Sequence, residues 1–413
     1  MIIKKFLFLL IAVVLVSGLF ITGCNSTTTS APASGQPLKV GVIASTSGFF
    51  AAMGEYMTVG SQMAIDKVNA SGGVMGRNVE MVVRDDQADP SVVTQKATEL
   101  KAAGCVAIVG TFMDGVAAVL NQWGADNKFI IGDSTNTVLD QRTSKFSKYV
   151  FFHQNVSLAL SNVFYKEISK MDDVKSIYYL SGDVVVAHDI YDSFWKSMAK
   201  GKPSVTNLGV TWVSSQEMDF SSVINAILAK NPSLIITGCG GPQWPAFIKQ
   251  AQQFGVFQKC KVVAMYGLDA STSTPLGKDT PEGIYGVISC PFWLDTPEMK
   301  AFQTDFAAKV KDQYVNDLTL NYYNATLALL ESIKKANSLD TDKIITAWEG
   351  ISINTPVGTV SMDAWDHQLE VPIWWGTTKN VSNYSVVTAN NMVKYQQDVY
   401  PTKDDINAYK TSK

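Results

Sequence analysis

The chain contains 413 residues, of which 46% are hydrophobic and 17% charged, so it is long enough for two or three domains with sizeable cores. Its formal net charge is −3 and it has no block of basic residues, which argues against nucleic acid as a partner. The sequence has three histidines and lacks HExxH, GxSxG and GxxxxGK motifs, so it gives no support to the common metalloprotease, serine hydrolase or nucleotide-binding classes.

The N-terminal segment has the order of features found in an export signal. Two lysines precede a mostly apolar run over residues 6–20, and the tetrapeptide ITGC, which ends in Cys24, follows this run. The order predicts a signal peptide over residues 1–23 and resembles a bacterial lipobox, in which small residues admit a signal peptidase and the Cys24 thiol receives lipid. The alternative is an uncleaved membrane anchor, for which the apolar run is short. Residues 24–37 are rich in small and polar residues and predict a lipidated flexible tether.

No segment predicts a metal or cofactor site. Residues 85–89 are acidic but lack the glycine turn and the distal glutamate of a calcium loop. Residues 238–241 follow a predicted strand, as a phosphate loop would, but they have neither a lysine nor GxGxxG spacing. The remaining cysteines are irregularly spaced without a CxxC pair, which favours small buried thiols over zinc ligands; they are Cys105, Cys239, Cys260 and Cys290.

Apolar runs bounded by turn residues alternate with amphipathic segments along the first part of the chain. Helices are predicted at residues 55–69 and from Pro90, whose fixed φ suits the first position of a helix. The run at residues 79–83 is nearly continuous in apolar residues, which predicts a strand buried on both faces. The predicted strands of this part lie at residues 39–43, 79–83, 105–109, 129–131 and 149–152.

A second series of the same kind follows. Strands are predicted at residues 176–180, 207–213, 233–237 and 261–265, and helices at residues 158–171, 188–199, 220–229 and 244–254. Beyond residue 296 the composition favours helices at residues 297–315, 319–335 and 341–350, before two strands at residues 357–361 and 371–376. Two successive series of alternating strands and helices predict two lobes, each with a parallel sheet.

The stretch from residue 65 to residue 100 carries a family resemblance. It contains the end of a helix, the glycine loop GGVMGR at residues 72–77, a strand, the acidic turn RDDQADP at residues 84–90, and a proline-led helix. This order resembles type I periplasmic binding proteins, in particular the leucine/isoleucine/valine-binding group of ABC transporter substrate-binding proteins. The resemblance extends over residues 38–376.

The resemblance implies an α/β fold of two Rossmann-like lobes, with parallel sheets flanked by helices. The chain would cross between the lobes three times, near Gln154, near Pro291, and between Asn354 and Pro372. The expected division assigns residues 38–154 and 292–354 to the N-terminal lobe, residues 155–291 and 355–400 to the C-terminal lobe, and residues 401–413 to a C-terminal tail.

Ligands of open parallel sheets bind at the carboxyl ends of the strands, so the loops after the predicted strands are expected to face a cleft between the lobes. Some of these residues have a structural alternative, because Asp114 could cap the following helix, and Asp133 and Thr135 could stabilise a turn. The candidates for ligand contact are Ser47, Phe50, Met53, Asp114, Asp133, Ser134, Thr135, Asp183, His188, Gly240, Trp244 and Tyr266.

The chain departs from the residues that the resemblance implies in the first lobe. Relatives have a hydroxyl residue at the position of Asp114, which binds the ligand carboxylate, and small residues with a threonine at residues 133–135. Thr135 fits this pattern. Asp114 and Asp133 do not fit, because a carboxylate opposite a ligand carboxylate is repulsive.

Further departures concern aromatic positions. Relatives commonly place a tyrosine at Met53, aromatic residues at Ala187 and Gly240, and an acid near Tyr266, so an ordinary branched-chain amino acid is not the expected ligand. The departures predict a ligand that presents a donor or cation to Asp114 and Asp133, and its apolar part to Trp244 and Tyr266. In the opposing interpretation Asp114 only caps its helix, which leaves a carboxylate seat on backbone N–H groups.

We therefore predict an exported solute-binding lipoprotein of an ABC importer, anchored by lipid to the extracytoplasmic face of the cell membrane. It would be a monomer without catalytic residues, and would pass a small amphipathic solute (an amino acid, an aromatic or short carboxylate, or an amide) to an ABC permease. A ligand-sensing lipoprotein and a hydrolase on the same scaffold are the alternatives. The run Asp366-His367-Gln368 resembles one in relatives with non-amino-acid ligands, with a polar turn as the alternative.

Overall fold

The computed structural model describes residues 35–311 and 313–411. The predicted signal peptide, the lipidation residue Cys24 and most of the predicted tether lie outside the described residues. Within the described ranges, no helix is both long enough and apolar enough to span a membrane.

The first lobe is built on a five-stranded parallel sheet of order β2-β1-β3-β4-β5. Its strands are β1 (Leu38–Ala44), β2 (Val79–Asp85), β3 (Cys105–Gly110), β4 (Ile131–Asp133) and β5 (Val150–Phe152). The helices that connect them are α1 (Ala51–Ala70), α2 (Pro90–Ala102) and α3 (Asp114–Asn127). The alternation of strand and helix in this part of the chain is as predicted.

Local sequence determines where α1 ends and α2 begins. Gly73 has a φ of 75°, and a Cβ atom there would lie 2.0 Å from the carbonyl oxygen of Arg77, so the loop requires glycine. Asp89 is the N-cap of α2, because its side chain accepts a hydrogen bond from the Ser91 N–H at 2.8 Å, and Pro90 lies in the first turn. The predicted glycine loop and proline-led helix are confirmed.

The prediction that the strand at residues 79–83 is buried on both faces is wrong. β2 forms the edge of the sheet beside β1, and although Val79 is buried, Glu80 is exposed and the rest of the strand is half-buried. An edge strand has a neighbour on one side only, so its outer side meets solvent. Apolar composition identified the strand but not its position in the sheet.

The second lobe begins with alternating strands and helices, as predicted, and also contains a strand at Tyr285–Ile288 and short helices at Val256–Lys259 and Ala270–Ser273 that were not predicted. The strands are β6 (Ser176–Gly182), β7 (Thr206–Val213), β8 (Leu234–Thr237), β9 (Lys261–Ala264) and β10 (Tyr285–Ile288). The helices are α4 (Ser157–Ile168), α5 (Val185–Gly201), α6 (Ser221–Ala229), α7 (Gln243–Gln253), α8 (Val256–Lys259) and α9 (Ala270–Ser273).

The chain then returns to the first lobe with α10 (Pro297–Ala307), α11 (Asp317–Ala336) and α12 (Thr341–Trp348). α11 lies close against α1, since a Cβ atom on Gly60 would approach the Thr319 carbonyl oxygen to 2.3 Å. The single helix predicted over residues 297–315 is wrong. α10 ends at Ala307, and Asn316 caps a new helix by accepting a hydrogen bond from the Thr319 N–H at 3.0 Å.

An antiparallel hairpin follows, formed by β11 (Ser352–Thr355) and β12 (Gly358–Ser361). It lies across the expected boundary between residues 354 and 355. Its buried side chains Ile353 and Val360 belong to the core cluster that also holds Trp348 and Val371. We propose that the first lobe includes this hairpin, so that the third crossing to the second lobe follows the hairpin and not residue 354.

The last elements are β13 (Ile373–Lys379), β14 (Thr388–Tyr395) and α13 (Lys403–Thr411). The two strands complete a seven-stranded sheet of order β14-β13-β10-β9-β8-β6-β7, in which β13 runs antiparallel to both of its neighbours. The predicted tail at residues 401–413 thus contains a helix, and its Ile406 is buried in the core of the second lobe.

The three crossings between the lobes are tied together by side chains. Asn155 of the first crossing donates a hydrogen bond from Nδ2 to the Ser289 hydroxyl of the second crossing at 2.8 Å. The Tyr400 hydroxyl contacts the side-chain oxygen of Asn155 and lies 2.9 Å from the carbonyl oxygen of Val371 in the third crossing. All four residues are buried.

The run Asp366-His367-Gln368 forms a second tie in the hinge. Arg142 Nε donates to Gln368 Oε1 at 2.6 Å, and Gln368 Nε2 donates to the Gln154 carbonyl oxygen at 3.0 Å. The His367 ring stacks on Phe151 at a centroid distance of 4.1 Å. The run is buried at a turn between β12 and the next strand, so the alternative interpretation, a polar turn between strands, describes its place.

Removing the Tyr400 hydroxyl should weaken the hinge. In Tyr400→Phe the oxygens of Asn155 and Val371 lose a buried partner, which costs about 1–3 kcal/mol of folding free energy. Chemical denaturation should therefore show a lower unfolding free energy. Tyr178→Phe is the matched control, because its hydroxyl bonds Thr211 within the second sheet. If only the control variant is destabilised, the tie at Tyr400 contributes nothing.

Candidate functional site

The candidate site lies where the carboxyl ends of the two sheets approach each other. Asp114 follows β3 in the first lobe, and Tyr266 follows β9 in the second. Burial, and then the nearby Asp114 carboxylate, raise the pKa of the Tyr266 phenol well above its usual range. Asp114 of the first lobe and Tyr266 of the second are thus near enough to interact electrostatically, and both are half-buried.

Asp114 lies at the first position of α3 but is not its cap. Met113 holds the N-cap position, and the Asp114 carboxylate turns toward the neighbouring loop, where Oδ1 accepts hydrogen bonds from the Thr137 N–H at 2.9 Å and hydroxyl at 3.3 Å. Both bonds fall on Oδ1. Burial, opposed by the Thr137 hydrogen bonds and aided by the charge of Asp133, raises the pKa of Asp114 to about 7.

The expectation that Asp133 faces the cleft is wrong. Asp133 is buried at the end of β4, where its carboxylate accepts hydrogen bonds from Asn121 Nδ2 at 2.7 Å and from the N–H groups of Thr135 and Asn136 at 3.2 Å and 2.9 Å. Burial raises the pKa of Asp133 against these hydrogen bonds. The predicted turn-stabilising role describes this residue.

Ser134 and Thr135 lie beside Asp133 and are also buried. The Thr135 hydroxyl donates to the carbonyl oxygens of Thr111 and Phe112, and the Ser134 hydroxyl donates to the Gly132 carbonyl oxygen at 3.3 Å. The Thr135 hydroxyl therefore ties the loop after β4 to the loop after β3, and in this conformation both hydroxyls are directed at the protein itself.

The other first-lobe candidates divide between surface and core. Ser47 is exposed, and its hydroxyl donates to Asp85 Oδ2 at 2.5 Å. Phe50 is half-buried, with its ring 5.1 Å from that of Phe112. Met53 is buried in the core of the first lobe. Of these three residues, which follow β1, only Ser47 and Phe50 keep accessible surface.

In the second lobe, Asp183 directly follows β6 and pairs with His188 in the first turn of α5. His188 Nε2 lies 2.7 Å from Asp183 Oδ1, and the imidazole lies 3.9 Å from the Trp212 ring. Gly240 meets Tyr266, because a Cβ atom there would lie 2.7 Å from the tyrosine ring. Tyr266 thus fills the space that a larger side chain at residue 240 would need.

Trp244, expected to hold the apolar part of a ligand, is fully buried in the second lobe. Its indole packs with Phe247 and Ile248 in the cluster beneath α7, so the prediction that it faces the cleft is wrong. Trp212, near the carboxyl end of β7, is half-buried and lies against His188. Sequence reasoning missed it because it lies within the predicted strand at residues 207–213, whereas only the loops after the strands were considered.

Asp86 is a further residue that the sequence did not single out. It is fully buried, and its carboxylate accepts hydrogen bonds from the Ser45 hydroxyl at 2.7 Å, the Ala88 N–H at 2.9 Å and the Thr111 hydroxyl. These donors belong to the loops after β1, β2 and β3. The available signal was a carboxylate directly after a strand in the acidic turn.

Among the described residues, no group of three or more histidine, cysteine, aspartate or glutamate side chains is arranged to hold a metal. The four described cysteines are unpaired thiols. Burial raises the pKa of Cys105 to about 11 and that of Cys239 to about 12, so neither is an activated nucleophile.

The chain resembles known proteins over most of its length. A profile of periplasmic binding proteins matches residues 37–382. The leucine-, isoleucine-, valine-, threonine-, and alanine-binding protein of Pseudomonas aeruginosa is 23% identical over 331 residues, which cover 79% of this chain and 86% of that protein.

Solved structures share the fold. A solute-binding protein of an ABC transporter from Rhodopseudomonas palustris HaA2, in complex with p-hydroxybenzoic acid, matches with a TM-score of 0.79 at 19% identity, covering 88% of this chain and 98% of that one. The closed conformation of a leucine-, isoleucine-, valine-, threonine-, and alanine-binding protein from Brucella ovis matches with a TM-score of 0.76 at 17% identity, covering 89% and 97%.

The pKa of Asp114 predicts the sign of a pH effect on stability. The folded value of about 7 lies above the ordinary value of about 4, so the folded state holds a proton that the unfolded state has lost between these limits. Wild-type stability should therefore fall relative to Asp114→Asn as the pH rises from 4 to 7, and the difference should be constant above about pH 8. Melting temperatures of both proteins across this range test the sign. A difference that does not vary with pH would show that Asp114 keeps an ordinary pKa.

Proposed function

Because the chain belongs to the periplasmic binding protein family, we propose that it is the solute-binding lipoprotein of an ABC importer. It would capture a small amphipathic solute between its lobes on the extracytoplasmic side of the membrane and deliver it to an ABC permease. The observation that carries this proposal is the architecture of two sheets joined by three crossings, whose buried side chains are hydrogen-bonded to one another, with strand-end loops of both sheets at the carboxyl edges.

The proposed ligand contacts are the cleft-edge residues that keep a free surface. In the first lobe they are Ser47, Phe50 and Asp114. In the second lobe they are Asp183, His188, Gly240, Trp212 and Tyr266. The remaining five candidates are buried in this conformation and support the cleft residues through packing and hydrogen bonds: Met53, Asp133, Ser134, Thr135 and Trp244.

The proposal favours binding over catalysis. The relatives described above are named as binding proteins. His153 and His367 are buried within the first lobe and the hinge, and burial lowers the pKa of His153 to about 4. Of the three histidines, His188 alone lies at the cleft, paired with Asp183.

Ligand binding should close the two lobes. The tied crossings leave rotation about the hinge as the available motion, so a bound solute should reduce the radius of gyration. We expect a thermal-shift screen of residues 35–413 with amino acids, aromatic acids, amides and amines to identify a solute, and small-angle scattering to show compaction with it. Chemical turnover of the solute would favour the hydrolase. Binding without uptake, in vesicles that carry the cognate permease and ATPase, would favour a sensor.

Lipid attachment should depend on Cys24. The Cys24→Ser variant lacks the proposed acceptor thiol, so the exported protein should move from the membrane fraction to the soluble fraction. Cys260→Ser is the matched control and should stay with membranes, because Cys260 is a half-buried thiol of the second lobe. Membrane retention of the Cys24 variant would refute the lipobox interpretation.

A further inference from the structure

Acidic residues outnumber basic residues in the segments that directly follow the strands. These segments contain no lysine, and their single arginine, Arg142, is buried in the hinge. The segments that share this composition are residues 45–53, 85–89, 111–114, 133–142, 183–189, 214–219, 238–243 and 265–270. Six of these eight segments, three on each lobe, carry Asp or Glu residues. Lys145 and Lys148, later in the loop between β4 and β5, are paired with Asp140 at 2.7 Å and Asp342 at 2.8 Å. A cleft lined by one sign of charge focuses its field and concentrates ligands of the opposite sign.

The chain also occupies many of its own anion-binding donors in the first lobe. Asp85 accepts hydrogen bonds from the Thr46 N–H at 3.0 Å and the Gln87 N–H at 2.9 Å. Asp133 takes two further N–H groups, and Asp114 takes the N–H and hydroxyl of Thr137. A ligand carboxylate would have to compete with these internal carboxylates for the loop N–H groups.

Asp114 is distinct among these carboxylates because one of its oxygens remains available. Asp86 and Asp133 are fully buried and satisfied on both oxygens. The Asp114 hydrogen bonds fall on Oδ1, and the Tyr266 phenol of the second lobe, whose hydroxyl makes no hydrogen bond among the described residues, lies within electrostatic reach of Asp114. A carboxylate oxygen and a free phenol oxygen are together two acceptors for a cationic donor.

The walls beside Asp114 are aromatic. Phe50 and Phe112 pack at 5.1 Å on the first lobe, and Trp212 with His188 lies on the second. Aromatic faces attract cations and also bury an apolar body. Phe49 is 43% exposed on the first lobe, and Val185 at 57% and Met218 at 46% are exposed at the corresponding edge of the second. The cleft thus combines an anionic point with apolar surroundings.

We propose that the cleft takes an organic ammonium ion without a carboxylate, such as an aromatic or alkyl amine, with its cationic head on Asp114 Oδ2 and its apolar body between Phe112 and Tyr266. This inference rests on the function proposed above and names the chemical class of the solute. It distinguishes the chain from proteins that bind amino acids or benzoates, whose ligands carry a carboxylate.

The test uses three probes that share a phenyl group and differ in charge, together with leucine as an amino acid for comparison. The full chain in detergent is titrated by calorimetry with 2-phenylethylamine, 2-phenylacetamide, phenylacetate and leucine. We expect the amine to bind most tightly. The Asp114→Asn substitution should lower the affinity for the amine by roughly 10- to 100-fold, because a hydrogen bond to a charged group is lost. Asp342→Asn is the matched control and should leave affinity unchanged, because Asp342 pairs with Lys148 on the outer side of the first lobe.

The outcomes separate this inference from the function on which it rests. Tighter binding of phenylacetate, phenylacetamide or leucine than of the amine overturns the cation assignment but leaves solute capture intact. Unchanged amine affinity in Asp114→Asn overturns the role of Asp114. Failure of all four probes overturns the ammonium class. Solute capture itself fails only if no member of the broader screen produces compaction.

Discussion

The first-lobe cleft depends on carboxylates buried beneath its loops. A buried carboxylate is costly unless donors surround it, and Asp86 and Asp133 each receive at least three hydrogen bonds from N–H and O–H groups. The donors belong to the loops after the strands, so satisfying the carboxylates also fixes the loops. The same hydrogen bonds occupy loop N–H and hydroxyl groups that would otherwise be available to bind an anionic ligand. In the proposed site, the surface that remains for a ligand is acidic at Asp114, with the packed rings of Phe50 and Phe112 on the same lobe.

A second buried network connects this surface to the other lobe. Arg142 lies behind the Asp133 loop, where it donates to the Asn136 carbonyl oxygen at 2.8 Å and to Gln368 in the third crossing. Burial lowers the pKa of Arg142 to about 10, opposed by the charges of Asp133, Asp366 and Asp114. The arginine thus balances buried carboxylates without reaching the cleft. The Arg142 side chain therefore links the position of the Asp133 loop to the third crossing.

Sequence reasoning succeeded where a feature is local and failed where it depends on distant neighbours. The glycine loop at Gly73 and the helix at Pro90 follow from the conformations those residues allow. The edge position of β2 depends on strand order, which composition does not encode. Strand-end position placed Trp244 at the right end of its strand, but helix packing turned its side chain into the core. The D-H-Q run gave a family resemblance, whereas its hinge contacts required the fold.

The central claim is that Asp114 selects the charge of the ligand. A crystal structure of the protein with 2-phenylethylamine tests this most directly. The account predicts the ammonium nitrogen within about 3 Å of Asp114 Oδ2, with the phenyl ring between Phe112 and Tyr266. A phenylacetate complex with the ligand carboxylate on the N–H groups at the start of α3 and Asp114 turned away would contradict it.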